Sequence, residues 1–100
     1  MEPRILVVDD DAYVRKMLVY TFMERGYSEI AEAEDYPTGV SMISETAFDL
    51  IFCDIMLEDR TGIEFMEKVR EKEITAPVVL ITGQPELDTA VAALRLGAFD

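Results

Sequence analysis

Apolar runs rich in β-branched residues recur along this chain, and each ends in an oxygen-bearing side chain. Ile5–Val8 runs into Asp9 and Asp10, Leu50–Cys53 into Asp54, and Val78–Ile81 into Thr82. Short continuous runs of this kind, separated by helical stretches, read as buried strands of a parallel sheet. After the first run, Val14, Met17, Leu18, Thr21 and Phe22 repeat at one-face helical spacing. Asp10 or Asp11 can cap that stretch and Gly26 can stop it, which predicts a helix over about 12–25. Ser28–Ala33 sets Ile30 and Ala31 among Glu29, Glu32 and Glu34, the pattern of a half-exposed edge strand. Pro37 suits a first helical turn, and Val40, Ile43 and Ala47 form a short apolar stripe leading to Asp49. A polar turn over 58–62 precedes a helix with Ile63, Met66, Val69 and Arg70 in register, on which Glu64 and Lys68 are spaced to pair. Pro77 opens the next strand, and Pro85 starts a last helix through Leu87, Val91, Leu94 and Leu96 to Gly97. Strand and helix alternate four times without repeats or linkers, which predicts one doubly wound α/β domain with right-handed crossovers.

Open α/β sheets bind ligands at the carboxyl ends of their strands, so Asp9, Asp10, Asp54 and Thr82 are expected to converge on one pocket. Neighbouring carboxylates repel one another unless one is protonated or a cation sits between them. Oxygen ligands alone select a hard ion, and a site that keeps several waters suits Mg2+ better than Ca2+, with Mn2+ as a substitute. Such an ion would neutralise an incoming phosphoryl group and leave a carboxylate to attack it. Asp54 is the best nucleophile because its strand is expected to be central. Each residue also has a plainer role: Asp10 and Asp11 as helix caps, Asp54 as a turn former, Thr82 as a β-branched strand residue. Met17, Met23, Met42 and Met66 read as core filler, and Glu67, Arg70, Glu71 and Lys72 as a solvated helix face.

Composition narrows the field. One hundred residues, half of them apolar, make a single core with little to spare. A net charge of −12 disfavours nucleic-acid backbones and anionic membrane surfaces. No apolar stretch is long enough to span a bilayer and the start lacks the shape of a signal peptide, which makes the cytoplasm the expected compartment. Histidine is absent, excluding imidazole acid/base chemistry and histidine-bound zinc, and the lone Cys53 inside a strand run reads as a buried small hydrophobe.

The chain resembles the receiver domain of bacterial two-component response regulators. The resemblance rests on Ile5-Leu-Val-Val-Asp-Asp10, on Asp49-Leu-Ile-Phe-Cys-Asp54, on Thr61-Gly62 eight residues past Asp54, and on Pro77-Val-Val-Leu-Ile-Thr-Gly83. It implies a flavodoxin-like parallel sheet with strand order 2-1-3-4, the family's fifth strand lying outside these residues. It implies that Asp54 accepts the phosphoryl group, that Asp10 binds Mg2+ directly with Asp9 beside it, and that the Met56 carbonyl is a further ligand. Thr82 would be the switch hydroxyl that turns inward to the phosphoryl group, shifting an equilibrium between two surfaces. A histidine kinase or phosphotransfer protein would be the donor, and an output domain, a partner protein or a second copy of the chain the recipient of the signal. Met56 and Gln84 stand where the family tunes phosphate loss, and an apolar Met56 implies slow to moderate decay.

The chain departs from the family at Glu58, where proline is usual, and at Gly83, where alanine is commoner. Leu96-Gly-Ala-Phe-Asp100 resembles the approach to the fifth strand, and the switch aromatic and the phosphoryl-contacting lysine of the family have no match among Lys16, Lys68 and Lys72. Residues 1–100 are therefore expected to be a receiver domain that is incomplete at its C-terminal side. Three other functions fit parts of the pattern. Asp9-x-Asp11 also resembles the opening motif of haloacid-dehalogenase-like phosphatases, with Tyr13 where that family expects Thr or Val. A flavodoxin-like mononucleotide binder would need a phosphate cradle where three aspartates stand. An interaction module that is never phosphorylated would share the fold without the chemistry.

Overall fold

A computed structural model describes residues 2–58 and 60–81. In chain order the elements are β1 (Ile5–Val8), α1 (Ala12–Glu24), β2 (Ile30–Ala33), α2 (Tyr36–Glu45), β3 (Leu50–Asp54), α3 (Gly62–Glu71) and β4 (Val78–Ile81). The strands pair in parallel in the order β2-β1-β3-β4. The expected helix from Pro85 lies outside the described residues.

Every residue of β1 is buried, as are Leu50–Cys53 of β3, because both faces of the sheet are covered. Alternate side chains go to opposite faces. Ile5, Val7, Leu50 and Phe52 meet Leu18 and Phe22 of α1, whereas Leu6, Val8, Ile51 and Cys53 meet Ile43 of α2 and Phe65 and Val69 of α3. Continuous apolar strands and a helix layer on each side are one fact seen twice. β2 is the half-exposed edge, although its ladder begins at Ile30 rather than Ser28.

The helix ends follow side-chain and backbone hydrogen bonding. Asp11, not Asp10, caps α1, accepting from the N–H groups of Tyr13 and Val14. Gly26 ends it with φ +94°, its own N–H returning to Met23 and that of Tyr27 to Phe22. The same pair of bonds closes α3 through Glu73 and Ile74, with Glu73 itself at φ +60°.

Three helical expectations are corrected. α2 stops at Glu45, so Ala47 is exposed in the following loop and Phe48 packs on the core in its place. On α3 the buried stripe is Gly62, Phe65 and Val69, leaving Ile63 46 % exposed. Glu64 turns back to Thr61 and Arg60 while Lys68 reaches Glu71, so the expected Glu64–Lys68 pair gives way to a capping box. Of the methionines, Met42 and Met66 pack on the core, but Met23 is exposed.

Candidate functional site

Val8 of β1 lies opposite Cys53 of β3, so the residues that follow, Asp9 just past β1 and Asp54 at the end of β3, stand side by side. One carboxylate oxygen from each of Asp9, Asp10 and Asp54 lies within 4.8 Å of the others. This is the carboxylate part of the convergence the strand endings predict; Thr82, its fourth member, lies outside the described residues. Asp10 is free to join it because Asp11 does the capping.

Asp9 is the buried member of the trio, 2 % exposed, and its polar groups are held on several sides. Its N–H donates to the Ala33 carbonyl at 3.1 Å, and its Oδ1 accepts from the Asp11 N–H at 2.9 Å. Its carbonyl accepts from Arg15 Nη1 at 2.7 Å. Burial pushes the Asp9 carboxyl up to about 6; the Asp11 N–H opposes this, and the charges of Asp54, Asp10 and Asp11 reinforce it. A dry carboxyl crowded by others of its own sign is a group that a cation would relieve.

Asp54, half-buried, is fixed by the loop that follows it. Its Oδ1 accepts from the Met56 N–H at 3.0 Å, and Ile55 donates to the Ile81 carbonyl at 2.7 Å. Met56 bridges to Thr61, and the Gly62 N–H returns to the Ile55 carbonyl at 2.8 Å, so the loop doubles back on the acid group. The Met56 side chain is 69 % exposed. Thr82 and Gln84 lie outside the described residues. Cys53 beneath the site is fully buried, its thiol pushed up to about 12 by burial and by the charges of Asp54 and Asp9, which leaves oxygen as the only donor type. Three hard oxygen donors without thiolate or imidazole fit a hard divalent cation.

Two supporting features are not evident in the sequence. Arg15 is on a helix whose apolar stripe gives no reason to look at an arginine, yet it reaches the end of β1. Gly62 forms part of a recognisable Thr-Gly pair, but the backbone contact it permits is visible only in three dimensions.

Comparison with known proteins bears on the family and the fold. The family model described as the response regulator receiver domain matches residues 5–100. The phosphate regulon transcriptional regulatory protein PhoB of Escherichia coli is 37 % identical over 102 residues, covering 100 % of this chain and 44 % of PhoB. The transcriptional regulatory protein ResD of Bacillus subtilis is 35 % identical, covering 99 % of this chain and 40 % of ResD. The chain thus spans less than half the length of these relatives. Among solved structures, the receiver domain of the hybrid histidine kinase CckA matches with a TM-score of 0.81 at 26 % identity, covering 93 % of this chain and 96 % of that one. The chemotaxis response regulator CheY4 of Vibrio cholerae matches with a TM-score of 0.78 at 26 % identity, covering 98 % and 82 %.

Proposed function

The chain belongs to the response regulator receiver domains, phospho-accepting switches of two-component signalling, and from that premise we propose that Asp54 is its acceptor. The observation that carries this reading is the acid trio: Asp54 ends a central strand with Asp9 and Asp10 close by, their oxygens within 4.8 Å. Neither the phosphatase nor the unphosphorylated interaction module is favoured by the family match.

Asp9, Asp10, Asp54 and the Met56 carbonyl would hold Mg2+, with Mn2+ as a substitute. When bound, the ion supplies positive charge against the developing charge of the transferred phosphoryl group. The chain's own part is positional. The Met56 N–H fixes the rotation of the Asp54 carboxylate, and the Ile55 and Gly62 hydrogen bonds fix the strand end that carries it. An Asp54 oxygen attacks phosphorus of a phosphohistidine, the P–N bond breaks, and the electron pair leaves with the imidazole. The product is an acyl phosphate on Asp54. Thr82 is proposed as the hydroxyl that reads it.

Receiver domains are regulatory, working between histidine kinases and output domains, and the relatives PhoB and ResD are transcriptional regulatory proteins. We place this chain at the same step, with a histidine kinase or phosphotransfer protein as donor and an output domain or partner protein downstream. No helix among the described residues is long and apolar enough to cross a membrane, and a cytoplasmic location is proposed on the family's account. Incubation with Mg2+ and acetyl phosphate should add the mass of one phosphoryl group to the parent chain and none to Asp54→Asn. Labelling that persists in Asp54→Asn would overturn the assignment.

A further inference from the structure

We infer that Arg15 is a positioning residue for the cation site, holding the Asp9–Asp10 peptide in the shape that brings both carboxylates to Asp54. The inference rests on the reading of Asp9, Asp10 and Asp54 as the Mg2+-binding group. Arg15 lies on the first turn of α1, with its side chain only 12 % exposed. Its guanidinium makes two contacts at once: Nη1 donates to the Asp9 carbonyl at 2.7 Å, and Nε donates to Glu32 Oε1 at 3.0 Å. Lys16 Nζ holds the other Glu32 oxygen at 3.0 Å. Glu32 stands on β2 opposite Val7 of β1, so one planar group ties the helix, the edge strand and the end of β1 together.

The carbonyl that Arg15 grips belongs to the peptide joining Asp9 to Asp10. Fixing that plane fixes the directions from which both side chains spring. The Asp9 N–H is already tied to Ala33 and its Oδ1 to Asp11, so the Arg15 bond completes the restraint of the residue. Bonds from a charged donor are the strong ones, and a rigid fork satisfies two acceptors with little freedom left over. Lysine offers the charge without the fork.

Position and charge predict opposite signs, which makes the inference testable. A cation beside an acid cluster repels Mg2+, so an Arg15 that acted only through its charge would weaken metal binding, and its removal would tighten it. A positioning Arg15 does the reverse. Titration of the full chain with MgCl2 by calorimetry should show the Arg15→Ala dissociation constant raised about tenfold or more, the range found when groups orienting metal ligands are removed. Arg15→Lys should fail to restore it. Glu32→Ala, at a partly exposed edge-strand position, should weaken binding in the same direction by a smaller factor, but Arg15→Lys, which keeps the charge and loses the fork, carries the test alone if Arg15→Ala does not fold. Urea midpoints read alongside separate a role in stability, which would lower the midpoint and leave the dissociation constant unchanged. Unchanged or tighter Mg2+ binding in the folded variants overturns the inference. A parent chain that binds no Mg2+ overturns the functional reading beneath it.

Discussion

A β-carbon placed on Gly62 would lie 2.5 Å from the carbonyl oxygen of Asp54 and 2.9 Å from the Ile55 Cα, so the start of α3 rests directly on the backbone of the proposed acceptor. The Gly62 N–H to the Ile55 carbonyl, at 2.8 Å, locks the contact. Both partners at the close approach are main chain, so neither can swing aside as a flexible side chain would. Gly62→Ala should therefore cost roughly 1–3 kcal/mol, as overpacking does. It should also slow labelling by acetyl phosphate about tenfold or more, because a small displacement of a reacting group is expensive. Urea unfolding and an intact-mass time course check the two effects. Labelling at the parental rate would mean that the contact yields without moving Asp54.

Asp9 makes stability depend on pH in a direction opposite to that of a paired carboxylate. Its folded value of about 6 lies above the ordinary 3.8, so the folded chain takes up a proton that the unfolded chain does not. The associated stability is present below about pH 4 and is lost as pH rises through 6, amounting to roughly 3 kcal/mol. Glu32 and Glu64, held below the usual carboxylate range, slope the other way, so the comparison has to be made against a variant. With a chelator present, Asp9→Asn should have the higher urea midpoint at pH 7.5, and the two proteins should converge near pH 4. A parent more stable than Asp9→Asn at pH 7.5 would mean that the buried carboxylate is satisfied without a cation.

The same physics explains what could be read from the chain before its structure. β1 and β3 were legible because strands covered on both faces need unbroken apolar runs, and β4, buried at Val78 and partly exposed beyond it, carries the same kind of run. The aspartates that break those runs were legible as a site because parallel strands deliver their carboxyl ends to one side. The inward face of α3 was not. Ile63, Met66 and Val69 satisfy helical spacing about as well as Phe65 and Val69 do, and what distinguishes them, the packing of the helix start against the Asp54 backbone, lies outside the helix itself. With Gly62 seated there, Phe65 is fully buried and Ile63 is exposed. The end of α2 was overrun because Ala47 continues the apolar stripe, whereas the chain instead uses Phe48 to reach the core. Arg15 was invisible for a simpler reason: an arginine on a helix is ordinarily solvated, and only the Asp9 carbonyl and Glu32 make this one different.

The capping box at the start of α3 links helix stability to the loop after Asp54. Thr61 Oγ1 accepts from the Glu64 N–H at 3.1 Å, and the Glu64 carboxylate accepts from the Thr61 N–H at 3.2 Å. That returning N–H is the chief reason the Glu64 carboxyl is held below its usual range. Thr61→Ala should cost about 1 kcal/mol, the usual loss on removing such a cap. Because the box is reciprocal, the Glu64 carboxyl should also move back up toward its ordinary value, observable by NMR titration. A Glu64 titration unchanged in Thr61→Ala would mean that the helix start holds its shape without the hydroxyl.

Cation binding should invert the energetic sign of the acid trio. Without a divalent ion, three carboxylate oxygens within 4.8 Å repel, and removing one charge relieves the other two. With the ion bound, each is a ligand, and removing one weakens the site. Asp10→Asn should therefore match or exceed the parent in thermal stability when a chelator is present, and fall behind it when Mg2+ is added. An ion that binds only the folded chain stabilises it by about 2.7 kcal/mol at a hundred times its dissociation constant, so the parent's gain should be easily seen and should vanish on chelation. The crossing of the two stability curves is the signature of a shared ion. Equal gains in parent and Asp10→Asn would instead put the Mg2+ elsewhere on a surface whose net charge of −12 offers many weaker places for it.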